Sequence, residues 1–209
     1  MTQVQARFLA LWSRLGGARG DAVYTDLARY YGEPVRHYHT LQHVRRCLRD
    51  FDWAGAAIPE ADVVELALWC HDVIYVPGAP DNEQRSADWL LHRADGQIPA
   101  AARVASMILA TTHRGTPTDL SIRFAVDIDL AMLGADRDHF RRNALCLRAE
   151  RADLDDATYD RTERSFLGAL LARDTIYHTD LFHARCEDQA RRNLTWRLAQ
   201  STPPWATGA

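Results

Sequence analysis

Apolar residues recur at intervals of three and four positions along most of the chain, which is the period of an amphipathic α-helix. After Thr40, for example, Val44, Cys47, Leu48 and Phe51 follow this spacing. Between turn residues there is no clear run in which apolar and polar residues alternate, as they do in a half-buried strand. The sequence therefore predicts an all-α protein.

Capping residues, glycines and prolines mark where these helices begin and end. Thr40, Asp81 and Asp119 each precede an apolar periodic segment and are expected to be N-caps. The 209 residues contain no internal repeat and no interdomain linker, so we expect a single helical domain over residues 1–199. The tail over residues 200–209, STPPWATGA from Ser201, is expected to be loose.

The charge balance and the cysteines narrow the class of protein. The net charge of −3 gives no basic surface for a nucleic-acid polymer, but a small anionic substrate remains compatible with it. The N-terminus lacks the pattern of a signal peptide, and no apolar stretch has the length of a membrane span. The four cysteines form no CxxC pair and are expected to be reduced thiols. We expect a cytoplasmic protein without a membrane partner; its oligomeric state stays open.

Three polar motifs interrupt the apolar helices. They are YHTLQH with His39 and His43, the dipeptide His71-Asp72 at the end of the apolar helix VVELALWC, and Asp127 and Asp129 within FAVDIDLAML. The helix VVELALWC is apolar on nearly all sides and is expected to be the buried central helix. An unpaired carboxylate in such surroundings costs several kcal/mol, so buried carboxylates normally pair with a cation or bind a metal.

Two imidazoles and two carboxylates together form a mixed nitrogen and oxygen donor set. Such a set suits a divalent Mn, Fe, Co, Ni or Zn ion, or Mg with further oxygen ligands, better than it suits a thiolate-bound metal. The sequence therefore predicts a site for a divalent metal ion and leaves the identity of that ion open.

The ordered pattern H…HD…D, with these helical contexts, resembles the HD superfamily of metal-dependent phosphohydrolases. The stretches RHYHTLQHV, ALWCHDVIY, DNEQRSA, ATTHRG and VDIDLAMLG are similar to one bacterial branch of predicted HD phosphohydrolases. This resemblance covers residues from about 30 to 140, which would form the metal-site core of an HD-domain helical bundle. An HD-GYP signature is missing, so cyclic di-GMP is a poor candidate for the substrate.

The resemblance implies that His43, His71, Asp72 and Asp129 are the metal ligands. Asp129 is preferred to Asp127 because the aspartate of the family typically precedes a leucine or lysine. We expect Asp127 either to contact one of the metal ligands without binding the metal itself or to face solvent.

Three further roles follow from the resemblance. His39 lies four positions before the first ligand, where distant relatives carry the histidine that protonates the leaving oxygen. His113 lies where some relatives bind a second metal, so a binuclear site is one alternative. Glu83 matches an acidic residue that orients water or lines the site. Among the arginines, Arg36, Arg45 and Arg114 are candidates to bind phosphate oxygens.

The function implied is hydrolysis of a phosphomonoester or phosphodiester by a metal-activated water. The expected partner is a small phosphorylated substrate, with nucleotides among the candidates. Two alternatives stay open: a di-iron oxygenase of the HD fold, in which His113 and Glu83 serve the second iron, and a non-catalytic module that senses a nucleotide.

Overall fold

A computed structural model describes residues 1–201 and 203–205. Within these residues there are ten α-helices and two short 3₁₀ helices but no strands, so the prediction of an all-α protein is confirmed. None of the helices in this described part is long and apolar enough to cross a membrane. The chain divides into two compact units, one up to Asp129 and one from Leu130 onward. The single domain over residues 1–199 stays a prediction.

The first unit is an assembly of helices joined by short loops. A 3₁₀ turn, Gly55–Ala57, follows the third helix. The helices are α1 (Gln3–Arg14), α2 (Gly20–Tyr31), α3 (Leu41–Ala54), α4 (Ala61–Cys70), α5 (Asn82–Ala94), α6 (Ala101–Ala110) and α7 (Leu120–Leu130).

Helix α4 is the central helix of this unit, as predicted from its sequence. Every residue from Val63 to Cys70 is buried, and the helix contacts α1, α3, α5 and α6. Glu65, the one charged residue in this buried run, accepts a hydrogen bond from Arg7 Nε at 2.7 Å. The Tyr31 hydroxyl donates to the Trp69 carbonyl near the end of the helix at 2.9 Å. The end of α4, where His71 and Asp72 follow, is therefore held firmly in place.

The predicted N-caps lie where the helices begin. The Thr40 hydroxyl accepts from the Gln42 amide at 3.2 Å, and the Asp119 carboxylate accepts from the Ile122 amide at 3.0 Å. Asp81 occupies the N-cap position of α5, but its side chain makes no capping hydrogen bond. The start of α3 at Leu41 matters most, because it fixes His43 in the first turn of that helix.

The second unit begins with a 3₁₀ turn, Ala131–Gly134, followed by α8 (Arg137–Ala149), α9 (Asp156–Leu171) and α10 (Asp180–Ala199). Helix α10 contacts α9 and the 3₁₀ turn. In the tail, the Trp205 ring lies 4.9 Å from the ring of Tyr159. Residues 202 and 206–209 lie outside the described residues, so the loose tail stays a prediction.

Candidate metal centre

The structure brings the four predicted ligands together in the first unit. His43 Nε2 lies 3.0 Å from His71 Nε2, 3.1 Å from Asp129 Oδ1 and 3.5 Å from Asp72 Oδ2. His71 Nε2 lies 2.9 Å from Asp72 Oδ2 and 3.4 Å from Asp129 Oδ1. His43 comes from α3 and Asp129 from the last turn of α7, whereas His71 and Asp72 directly follow the last residue of α4. The four residues are called the HD cluster below.

These separations match those expected around a small divalent ion. Two ligand atoms that each lie about 2.1 Å from an ion are about 3.0–3.4 Å apart in octahedral or tetrahedral geometry. The distances from the two imidazole nitrogens to each other and to the carboxylate oxygens run from 2.9 to 3.5 Å. The residues present therefore fit a metal ion in both donor type and spacing.

The two imidazoles face each other through the nitrogens that would bind a metal. His71 Nδ1 lies 3.0 Å from the Leu68 carbonyl, which can only accept, so Nδ1 carries the proton and Nε2 is directed into the cluster. His43 Nε2 lies opposite it. Two nitrogen lone pairs at this distance repel each other unless a proton or a cation lies between them.

The pKa values of the cluster reflect strong mutual interaction. Burial lowers the pKa of His43. Burial also acts to lower the pKa of His71, but the carboxylates of Asp72 and Asp129 outweigh it and raise that pKa. Burial would raise the pKa of both carboxyls, yet the charge of His71 keeps each well below its usual range. Both carboxyls are therefore ionised at neutral pH.

The cluster carries an excess of negative charge when its histidines are neutral. Asp72 and Asp129 then contribute two negative charges, with side chains only 16% exposed, while His43 and His71 are almost completely buried. Uncompensated charge in such a place is costly. A divalent cation would neutralise both carboxylates and accept the lone pairs of both imidazoles.

Arg36 braces the loops on either side of the cluster. Its buried guanidinium donates to the Asp72 carbonyl at 2.6 Å, to the Val73 carbonyl at 2.9 Å and to the His39 carbonyl at 3.2 Å. Its Nε donates to Glu33 at 3.1 Å. Every nitrogen of this guanidinium thus has a protein partner, so the prediction that Arg36 binds phosphate is wrong. The segment RHYH marked this residue, but its partners are 36 and 37 positions away in sequence.

His39 lies beside the cluster. It precedes α3, so it does not share a regular helical turn with His43, yet the two ring centres are only 6.1 Å apart. The His39 ring stacks on Tyr75 with 4.4 Å between centres. After burial and His71, His39 is the next strongest influence on the pKa of Asp72, and it lowers that pKa. The position suits a group that acts on a bound substrate.

His113 contacts the cluster through the second oxygen of Asp129. Its Nε2 lies 2.8 Å from Asp129 Oδ2, while Oδ1 of the same carboxylate faces His43 and His71. His113 has a φ of +54°, a left-handed conformation that is uncommon outside glycine. Such strain persists where surrounding structure enforces it, and it often marks functional sites.

Asp127 is completely buried, so a solvent-facing position for it is wrong.

The role predicted for Glu83 stays a prediction. This residue lies half-buried in the first turn of α5, and within the described residues no hydrogen bond or ion pair joins it to the cluster. Its neighbours are more informative. Asn82 and Ser86 hydrogen-bond the backbone of Val76 and Ile74 in the loop that follows Asp72. Both residues belong to the motif DNEQRSA, but their hydrogen bonds to the loop after Asp72 are seen only in the structure.

Cys47 is a neighbour of the cluster that its sequence context did not reveal. The residue is buried, as expected, and its Sγ lies 3.7 Å from His43 Nε2, one helical turn along α3. Burial and the carboxylate of Asp129 raise the pKa of this thiol well above its usual range. The thiol is therefore protonated at neutral pH in the absence of a cation.

Comparison of the chain with protein-family models, with curated proteins and with solved structures gives no match. Membership of the HD superfamily accordingly rests on the motifs and stays a prediction. The arrangement of the donor atoms, which is independent of that resemblance, carries the functional argument.

Proposed function

We propose that the protein is a metal-dependent phosphohydrolase of the HD superfamily that cleaves a phosphomonoester or phosphodiester. The observation that carries this proposal is that two imidazole nitrogens lie 3.0 Å apart and that each lies 2.9–3.5 Å from one oxygen of both carboxylates. A buried cluster of this composition without a neutralising arginine or lysine suits a divalent ion.

His43, His71, Asp72 and Asp129 would hold the ion. When bound, such an ion supplies a Lewis acid and lowers the pKa of a bound water towards neutrality. The hydrogen bond from His71 Nδ1 to the Leu68 carbonyl orients one ligand. His113 Nε2, by donating to Asp129 Oδ2, would orient another.

His39 would donate a proton to the leaving oxygen. A histidine can exchange a proton near neutral pH, and this one stands beside the cluster without belonging to the converging atoms. Arg36 would position it, because the guanidinium holds the carbonyl groups of both His39 and Asp72. The substrate class is a small phosphorylated metabolite, and nucleotides are among the candidates.

Metal analysis combined with a substrate screen tests this proposal. We expect the purified protein to hold a divalent metal and to hydrolyse nitrophenyl phosphate with added Mn²⁺. His71→Ala should lose both properties, whereas His92→Ala, which changes an exposed histidine of α5, should keep both. Metal bound with no turnover across a panel of phosphorylated metabolites would favour a nucleotide-sensing module instead. Full turnover in metal-free protein would contradict the proposal.

One observation favours a second candidate, a di-iron oxygenase. The two oxygens of Asp129 face different histidines, as they would in a carboxylate that bridges two ions. The mononuclear proposal remains the better supported, because within the described residues only His113 hydrogen-bonds to the second oxygen and Glu83 makes no hydrogen bond to the cluster. Two irons per chain, a visible charge-transfer band and oxygen consumption would favour the oxygenase.

A further inference from the structure

Arg46 has buried polar atoms without partners beside the HD cluster. Its Nε and Nη2 atoms are inaccessible to water and make no hydrogen bond. No carboxylate of the described residues forms an ion pair with Arg46. Buried donors without partners are rare and costly, so a guanidinium in this state calls for an explanation.

The position of Arg46 relates it to the proposed catalytic site. His43 and Arg46 are three positions apart on α3, so their side chains are neighbours on the helix surface. The ring of Tyr38 lies 5.0 Å from the ring of His43 and 5.1 Å from the guanidinium carbon of Arg46. One aromatic ring thus contacts both the predicted metal ligand and the unpaired cation.

Arg197, in the second unit, is a buried guanidinium that provides a comparison for Arg46. Two of its nitrogens also lack hydrogen bonds, but its charge is compensated by ion pairs with Asp160 and Glu163. Arg46 has no such carboxylate partner. The ring of Tyr38 attracts the cation but leaves its N–H groups without acceptors.

We propose that Arg46, which is only partly buried as a residue, turns these donors outward and binds the phosphate group of the substrate next to the metal, an inference that rests on the proposed phosphohydrolase function. Guanidinium groups suit phosphate because their planar fork of N–H donors matches the phosphate oxygens. The guanidinium also stays positively charged at all ordinary pH values. An anion attracted by both a divalent ion and Arg46 would be fixed at two points. Its orientation relative to His39 would then be restricted.

Phosphate binding by the metal-loaded protein tests this assignment. Inorganic phosphate is titrated calorimetrically into Mn²⁺-loaded protein of the natural sequence and of Arg46→Met, Arg46→Lys and Arg49→Met. Arg46→Met should bind phosphate about tenfold to a hundredfold more weakly, as expected when a charged hydrogen-bonding group is lost. Arg46→Lys, which keeps the charge but not the fork, should lie between. Arg49→Met is the matched control, because Arg49 is an exposed arginine on the same helix.

Metal content is measured in every variant and should be unchanged. Unaltered phosphate affinity in both Arg46 variants would overturn the assignment, as would the absence of phosphate binding to the metal-loaded natural protein. If Arg46→Met does not fold, Arg46→Lys decides alone. Phosphate binding that depends on Arg46 without hydrolysis of any phosphate ester would leave this site standing and overturn the proposed function. Hydrolysis with a KM and phosphate affinity independent of Arg46 would do the reverse.

Discussion

The two units of the chain each bury a cluster of charged side chains, and they compensate this charge differently. In the second unit, Arg197 is completely buried and forms ion pairs with Asp160 and with Glu163. Arg164 Nε also contacts Asp160 at 2.6 Å. Two arginines therefore face two carboxylates, and the cluster is neutral without any external group.

In the first unit, the HD cluster contains two carboxylates and two imidazoles but no arginine or lysine. Neutrality at this site requires either protonation of both histidines or the arrival of a divalent cation. The two carboxylates raise the pKa of His71, so one proton can offset one of the two negative charges, but burial lowers the pKa of His43 and opposes a second proton. A site that its own sequence leaves negative, in a protein that neutralises charge elsewhere, is best explained by a ligand.

Replacing one aspartate of each cluster by alanine should give the largest difference between the two units, in metal content and activity. Asp72→Ala should remove most of the bound metal and all metal-dependent activity, because a charged donor of the cluster is lost. Asp160→Ala should reduce the stability of the second unit but keep the metal content of the natural sequence. Elemental analysis and nitrophenyl phosphate hydrolysis, both under native conditions, measure the difference. Full metal occupancy in Asp72→Ala would defeat the assignment of this ligand.

Replacing His39 separates proton donation from metal binding. His39→Ala should keep its metal but lose about 10²–10⁴-fold in rate on an alkyl phosphate, which is typical for the loss of a general acid. The rate on nitrophenyl phosphate should change little, because that leaving group needs no proton. His43→Ala should lose the metal and both rates together. An equal loss on both substrates in His39→Ala would mean that His39 is not the acid, and loss of metal would mean that the two roles are exchanged.

A substitution in the neutral cluster around Arg197 should lower the free energy of unfolding and leave metal binding unchanged. Arg197→Met leaves Glu163 without its ion-pair partner and Asp160 with only Arg164, so we expect a loss of about 3–5 kcal/mol in the free energy of unfolding. Metal content should not change. Denaturant unfolding followed by circular dichroism measures the loss, and Arg192→Met is the control because Arg192 is exposed on the same helix. A loss no larger than in the control would show that Arg197 contributes little.

The sequence predicted the helices and the converging residues because both depend on local signals. A period of three to four residues, together with caps such as Thr40 and Asp119, sets where a helix forms. The cost of burying Asp72 and Asp129 in apolar helices predicted that they would meet counter-charges or a metal.

The surroundings of the cluster were beyond such reasoning, because they depend on how distant segments pack. Arg36 looked like a phosphate ligand until its partners in the Asp72-Val73 loop were known. The unpaired state of Arg46 also cannot be derived from its sequence, since Arg45 beside it carries the same charge and is exposed. The burial of Asp127 likewise depends on how distant segments pack and could not be predicted from its sequence.

The smallest expected effect concerns the loop that follows Asp72. Ser86 Oγ accepts from the Ile74 amide at 3.0 Å and donates to the Ile74 carbonyl at 3.2 Å, so one hydroxyl satisfies both backbone groups of a residue two positions after the predicted ligand. Ser86→Ala removes both bonds and should cost about 1–3 kcal/mol in the free energy of unfolding. Ser106→Ala is the matched control, because that hydroxyl donates only to the Arg103 carbonyl of its own helix. At saturating metal, both variants should bind as much metal as the natural sequence, because neither loses a ligand. Thermal unfolding and metal titration measure the two quantities, and a loss of metal in Ser86→Ala comparable with that in Asp72→Ala would show that the loop, rather than the ligand set, limits binding.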